Sequence, residues 1–467
     1  MDDRESTVTA DSAEADSWKG LKRVLGLRDL TLLIVGSVIG SGIFLKPGGV
    51  LNEVGNSVPI ALSVWLVGGI LSLLGALTYG EMGAMNPKAG GLYVFVRDGF
   101  GRLPAFLYGW ALFAVINSAG IAALTVAFST NLARFIPLSS VAQKAVSVLV
   151  IAILAAVNVW GTRKSADLQN WTTAIKAGGI LLMSVVLLIV ARGSIPSAPT
   201  VPPPSGSLMT AFGVAMISVL WAYEGWQSVT YSAGETINAG RNFPFAMLVG
   251  TIALIFIYLL ANVAYSAALG PAGLAASDNA AASSLGVAVG SWAASAVTLV
   301  ILISVFSAAN SSFLTGSRVY YAMAKDGLFF RRLSEVHPVY GTPALAVIAG
   351  AIWSAVLAAS GTFDQLTSYV VFAGWIFYAL GAAALFRYRK LFPDAERPYR
   401  VIGYPWTPVV FILAALLLVA NTIYAKPADA AVGLGLVLLG LPAYAFWRSR
   451  KPALPPALED LPRNPSL

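Results

Sequence analysis

The sequence predicts an all-α polytopic membrane protein of twelve transmembrane helices. It reads as two five-helix repeats of opposite orientation, with helices 1 and 6 broken. Three observations predict this. Of 467 residues, 57% are hydrophobic and only 11% charged, with mean hydropathy +0.75, whereas soluble chains carry about 25% charged residues. Apolar stretches of about 20 residues, the length that crosses a bilayer, recur twelve times. The first and sixth of these carry glycines and polar residues where a spanning helix should be continuous.

Residues 1–28 are polar and form a cytoplasmic tail. Up to residue 17 the tail is acidic and rich in Ser and Ala, a composition that reads as disordered, and it has no apolar segment of a cleaved signal peptide. The spans follow at 29–50, 59–84, 101–130, 139–160, 169–191, 208–234, 243–269, 285–324, 342–360, 364–386, 405–423 and 428–447. The third and eighth are longer than a bilayer needs and should tilt or protrude. Residues 448–467 form a second cytoplasmic tail, disordered from about Lys451.

Charge sets the orientation. Most of the 30 Lys and Arg fall on one side of these spans: Lys19, Lys22, Arg23 and Arg28; Lys88, Arg97 and Arg102; Arg163 and Lys164; Lys325, Arg331 and Arg332; Arg387 to Arg400; Arg448, Arg450 and Lys451. That asymmetry is the positive-inside pattern, so the net charge of +8 reports membrane insertion and not nucleic-acid binding. Both termini are placed in the cytoplasm. The Pro-rich run Ile195–Pro204 reads as an extended external linker between repeats 29–191 and 208–386, leaving 405–447 as two accessory helices. Five crossings reverse the chain, so a duplicated five-span unit is necessarily inverted.

Span 1 contains Val35-Gly36-Ser37-Val38-Ile39-Gly40-Ser41-Gly42-Ile43-Phe44, with three glycines and two serines between Gly36 and Gly42. Broken helix at this depth survives only where it lines a cavity or is buried in protein. Span 6 carries Trp221-Ala222-Tyr223-Glu224-Gly225-Trp226-Gln227, where a glutamate and a glycine suit a second break. Gly-interrupted segments in corresponding positions of two halves point to a transporter's binding site.

These residues resemble a known family. Val38-Ile39-Gly40-Ser41-Gly42-Ile43-Phe44 is similar to the glycine signature of the amino acid–polyamine–organocation (APC) superfamily. Further stretches resemble its L-amino acid transporter (LAT) family: Tyr79-Gly80-Glu81-Met82-Gly83, Pro87 to Tyr93, Leu103 to Trp110, Asn158 to Gly161, Gln169 with Thr173 to Lys176, and Gly234-Glu235 with Arg241-Asn242-Phe243-Pro244. Ser317 to Gly327 and Glu396-Arg397-Pro398-Tyr399-Arg400 complete an ordered set running from about residue 25 to 447. The resemblance implies a LeuT-like fold and sodium-independent amino acid exchange across the plasma membrane. Animal members pair with a heavy chain through a cysteine. This chain has none, so it resembles a stand-alone prokaryotic member in the bacterial inner membrane, with amino acids and the lipid bilayer as its partners.

An amino acid carries a carboxylate and an ammonium, both costly to dehydrate at mid-membrane. Helix N-termini favour anions through unpaired N–H groups and the dipole. The carboxylate is therefore assigned to the N–H groups of Ser41, Gly42 and Ile43 beside Gly40, and the ammonium to carbonyls of Val38, Ile39, Trp221, Ala222 and Glu224. The alternative is that the glycines serve close helix packing. Lys176 lies some seven residues inside its predicted span, where ionisable groups default to function. The resemblance puts it where sodium-coupled relatives hold a cation, so a fixed ammonium would tie span 5 to the carbonyls of broken span 1; a desolvated lysine can instead exchange a proton.

Glu224 either holds the unwound segment in shape or shuttles a proton. Glu81 and Glu235, near the cytoplasmic ends of their spans, are expected to pair with basic loop residues. The resemblance makes Trp221 a lid over the substrate. Asn117, Ser307, Asn310, Ser311, Gly374 and Trp375 are candidates for the side-chain pocket. Arginine and polyamine antiporters tend to carry an acid three residues beyond Glu224, where this chain has Gln227.

With no cysteine there is no disulfide, thiolate metal site or Cys nucleophile. The single histidine, His337, sits in a polar loop. No catalytic residue, metal site or cofactor is expected, and a channel would need a ring or filter motif that the two broken helices argue against. The reading is an amino acid exchanger for small to medium neutral substrates, with a proton-coupled symporter on the same fold as the alternative.

Overall fold

The computed structural model describes residue 21 and residues 23–191, 201–204 and 206–448. The expectations for residues 1–17, for the tail from Lys451 and for residues 195–200 of the linker lie outside the described residues. The architecture is all helical: among the described residues the only β-type pairing is an isolated parallel bridge between Leu25 and Thr236.

The chain opens with α1 (Leu27–Val38), the four-residue α2 (Gly42–Leu45) and α3 (Pro47–Glu53). Helices α4 (Val58–Met85) and α5 (Leu92–Phe100) follow. Next come α6 (Arg102–Leu132), which contains a π-helical turn at Leu112–Ile116, α7 (Ser140–Val159) and α8 (Thr162–Val190). The second half begins with α9 (Leu208–Ala222), a 3-10 segment at Trp226–Glu235, α10 (Ala239–Ala275) and α11 (Ala280–Ala288). It continues with α12 (Ser291–Lys325), α13 (Ala344–Ser360) and α14 (Phe363–Leu391), and closes with α15 (Trp406–Ala425) and α16 (Pro427–Trp447).

Eleven helical stretches of the described residues are long and apolar enough to cross a membrane; α13, with 17 residues, is shorter than the rest. The predicted eighth span at 285–324 does not form one helix. The chain breaks at Val289–Gly290, where Gly290 has φ +124°, a region that favours glycine. The helix α5 was not expected as a separate element.

Between membrane helices lipid supplies no hydrophobic driving force, so close packing must come from small residues. Helix α4 shows this. A Cβ at Gly68 would lie 2.5 Å from Val219 of α9, and one at Gly83 would lie 2.5 Å from the Phe243 ring of α10; at Gly75 it would run into Trp226. Such overpacking costs typically ~1–3 kcal/mol. The same small face lets α4 pack against both α9 and α10. Apolar residues turned outward, such as Leu149 and Ile153 on α7 and Leu413 and Leu417 on α15, suit contact with acyl chains.

Candidate functional site

The first break is made by residues that tolerate contact with another backbone. Helix α1 ends at Val38, and Ile39–Ser41 are bends. Among the described residues no acceptor meets the N–H groups of Ser41, Gly42 or Ile43; the first bonds of the new turn are from Phe44 and Leu45 to the Ser41 carbonyl, at 3.2 and 3.0 Å. A Cβ on Gly42 would fall onto the backbone of Ala222, and one on Gly40 would crowd Leu124 at 3.2 Å.

The second break faces the first. Helix α9 stops at Ala222 and Trp226 starts the 3-10 segment. Gly225 between them has φ +122°, and a Cβ there would come within 2.9 Å of the Ser37 carbonyl. The Glu224 carboxylate accepts from Gln227 Nε2 and from the Tyr378 hydroxyl of α14, while Gln227 Oε1 accepts from Gly225 N at 3.2 Å. The acid is thus held by side chains that brace the unwound turn.

Two side chains tie the breaks to the surrounding helices. Lys176 of α8, fully buried, donates to the carbonyls of Gly36 and Ile39 at 2.6 Å each, and to that of Ser304 of α12 at 3.4 Å. The Ser304 hydroxyl donates to the Ile39 and Gly40 carbonyls at 3.1 and 3.0 Å. Tyr258 of α10 places its hydroxyl between the Val38 and Ala222 carbonyls, at 3.0 and 2.9 Å, and so joins the last carbonyls of both broken helices.

Between the breaks lies a cavity of about 50 Å³ lined by both polar and apolar side chains, enough for on the order of four water-sized groups at ~10–15 Å³ each. Of the residues expected at the site, Val38, Gly40, Ser41, Gly42, Trp221 and Glu224 line it. Ile39, Ile43 and Ala222 stand behind this surface. The Ile39 carbonyl, expected to face an ammonium, is instead taken by Lys176 and Ser304. Asn117 lines the cavity too, donating to the Tyr320 hydroxyl at 3.1 Å.

The other pocket candidates lie elsewhere. Ser311 pairs with Ser37, Asn310 bonds Asn158, and Ser307 bonds Thr172; Gly374 and Trp375 are not among the lining residues. Ser228, Tyr231 and Ser312 line it without having been expected. Tyr258 and Tyr378 were also missed, because a tyrosine in an apolar run looks like packing; only the pairing across the fold reveals them.

Trp221 separates this cavity from a second one. Its ring lines both the central cavity and a 260 Å³ vestibule with Lys46, Asp364 and Lys426. It donates to Ser41 Oγ at 3.2 Å and meets the edge of Phe363. Lys46 closes on Asp364 at 2.8 Å above it.

At the opposite end the pairing differs from expectation. Glu81 does pair with basic groups, accepting from Arg389 Nη2 at 2.8 Å and lying 3.5 Å from Arg397 of the following loop. The partner of Glu235 is not in a loop: it is Arg318, inside α12 and as fully buried as the acid. Arg318 Nε donates to Glu235 Oε2 at 2.7 Å, and Thr162 Oγ1 accepts from Arg318 Nη2 and donates to Glu235, both at 2.8 Å. The Glu235 carbonyl accepts from the N–H groups of Val24 and Leu25, strapping the chain start across the 3-10 segment.

A small cavity bounded by the breaks of two membrane-length helices is the architecture of a membrane carrier. Comparison with known proteins gives the family. A family model described as amino acid permease matches residues 25–440. The chain is 32% identical over 435 residues to the serine/threonine exchanger of Bacillus subtilis, covering 92% of this chain and 98% of that one. It is 30% identical to the human cystine/glutamate transporter, covering 91% and 85%, and 30% identical to the mouse b(0,+)-type amino acid transporter 1, covering 91% and 87%. The chain belongs to the amino acid permease family of the APC superfamily and is an integral membrane transporter, not an enzyme.

Proposed function

We propose that the protein exchanges small to medium neutral L-amino acids by alternating access and without sodium, in the bacterial plasma membrane. The carrying observation is the Lys176 ammonium at 2.6 Å from the Gly36 and Ile39 carbonyls. A fixed cation there neutralises the carbonyls that a mobile cation would otherwise have to bridge. The transported carboxylate is assigned to the N–H groups of Ser41, Gly42 and Ile43. The ammonium goes to the carbonyls of Val38, Trp221 and Glu224, the residues of the expected set that line the cavity, with the Trp221 ring as the lid on the external side.

The small cavity and the likeness to a serine/threonine exchanger support this substrate class and mode. The frame is a LeuT-like inverted repeat, 29–191 against 208–386, with 405–447 accessory and both termini on the arginine-rich cytoplasmic face. The absence of cysteine leaves no route to a disulfide-linked heavy chain.

One observation favours a second reading. Glu224 lines the cavity and is bonded to the hydroxyl of Tyr378, a geometry that suits a proton carrier in a symporter. Uptake of labelled neutral amino acids into proteoliposomes separates the two. The assay runs without sodium, with and without internal substrate, at two external pH values. Exchange requires internal substrate and ignores the proton gradient; accumulation by empty vesicles on external acidification would replace it with symport.

A further inference from the structure

Two of the sequence motifs have no part in the central cavity. Arg241-Asn242-Phe243-Pro244 opens α10, and Glu396-Arg397-Pro398-Tyr399-Arg400 lies in the connection from α14 to α15. The fold sets them facing each other across a groove of about 340 Å³, walled by Pro244, Phe245, Leu248, Pro398 and Tyr399. The walls are held by close contacts. A Cβ on Gly240 would meet Pro398 at 3.0 Å, and Tyr399 packs over Gly80 of α4. Arg397 is committed elsewhere, to Glu81 and to the carbonyls of Phe392, Pro393 and Ala395.

Arg241 is the one charged residue lining the groove. It is exposed, and among the described residues its guanidinium meets no carboxylate. Arg400, also exposed, follows Tyr399 in sequence. From the groove an apolar stripe runs along α10 through Phe245, Val249, Ile252 and Phe256, all exposed and spaced to share one helix face. Ile402 and Trp406 are exposed at the start of α15, and tryptophans of this kind mark the membrane–water interface. An unpaired guanidinium continuous with an apolar stripe about 17 Å long, roughly the depth of one bilayer leaflet, complements the phosphate and acyl chain of a phospholipid.

We propose that this groove binds an anionic phospholipid of the phosphatidylglycerol class, its phosphate on Arg241 and one acyl chain along the Phe245–Phe256 stripe. The site lies apart from the central cavity and does not depend on which amino acid is carried. Charge complementarity selects the anionic headgroup, since basic groups near a membrane surface attract acidic lipids at about 1 kcal/mol each.

The test is native mass spectrometry of the detergent-solubilised full chain titrated with phosphatidylglycerol, with phosphatidylcholine and with glycerol 3-phosphate. Phosphatidylglycerol should be retained saturably, and about five-fold more weakly by Arg241→Gln. Arg241→Lys should recover part of the loss, and Arg332→Gln, an exposed arginine away from the groove, should bind as wild type. Glycerol 3-phosphate should not compete. Equal retention by wild type and Arg241→Gln, equal retention of phosphatidylcholine, an equal loss in Arg332→Gln, or competition by glycerol 3-phosphate would each overturn the proposal.

Discussion

Lys176 and Arg318 are both buried cations in long helices, yet they are satisfied in opposite ways. Arg318 meets a carboxylate, Glu235, with Thr162 closing the triangle. Lys176 meets only carbonyls, two from the end of α1 and one from α12. A pair of side chains can be replaced together, whereas a backbone carbonyl cannot be mutated away. The carbonyls of Gly36 and Ile39 are free only because α1 ends there, so the lysine depends on the break while the arginine does not. The arginine pair is a structural tie between α12 and the 3-10 segment; the lysine is fitted to the backbone of the first break.

Substitutions can break that comparison. The largest effect on transport is expected for Lys176→Ala, which leaves two buried carbonyls without a charged donor. At ~1.5–3 kcal/mol for each of the two charged hydrogen bonds, exchange in proteoliposomes should fall by at least about 100-fold, and no second side-chain change should restore it. Arg318→Met should instead act on stability. Stranding a buried carboxylate costs about 3–5 kcal/mol, visible as a lowered melting temperature in detergent, and Arg318→Met with Glu235→Leu should recover most of the loss. If the double variant is no more stable than the single one, the two cations are not different in kind.

Smaller changes sharpen the contrast. Tyr258→Phe removes the hydroxyl shared by the Val38 and Ala222 carbonyls; with hydrogen bonds between membrane helices worth roughly 0.6–1.7 kcal/mol, exchange should slow about three- to eighteenfold with little change in melting temperature. Trp221→Phe keeps the ring and loses the bond to Ser41. It should weaken retention of bound substrate by about two- to threefold, read as faster efflux.

Much of this was legible in the sequence, and the reason is local. Gly40 and Gly42 inside an apolar run, and a glutamate with Gly225 in another, mark the two breaks without reference to the rest of the chain. A lone lysine among apolar residues announces that something must satisfy it. Features that depend on distant pairing were not legible. Glu235 finds its arginine in the interior of α12, not in a loop, because the triangle with Thr162 joins three segments far apart in sequence. Tyr258 has no local signature, and a single glycine, Gly290, was too little to divide the long eighth stretch. Five candidates for the side-chain pocket, from Ser307 to Trp375, turned to other partners for the same reason.

The central claim is that a fixed ammonium does the work of a coupling ion. The most direct test is counter-transport of a labelled small neutral amino acid by the wild-type protein in proteoliposomes, first in sodium chloride and then with choline replacing sodium. The account predicts the same rate in both. A rate that falls when sodium is withdrawn would contradict it, because Lys176 would then not be the cation at that position.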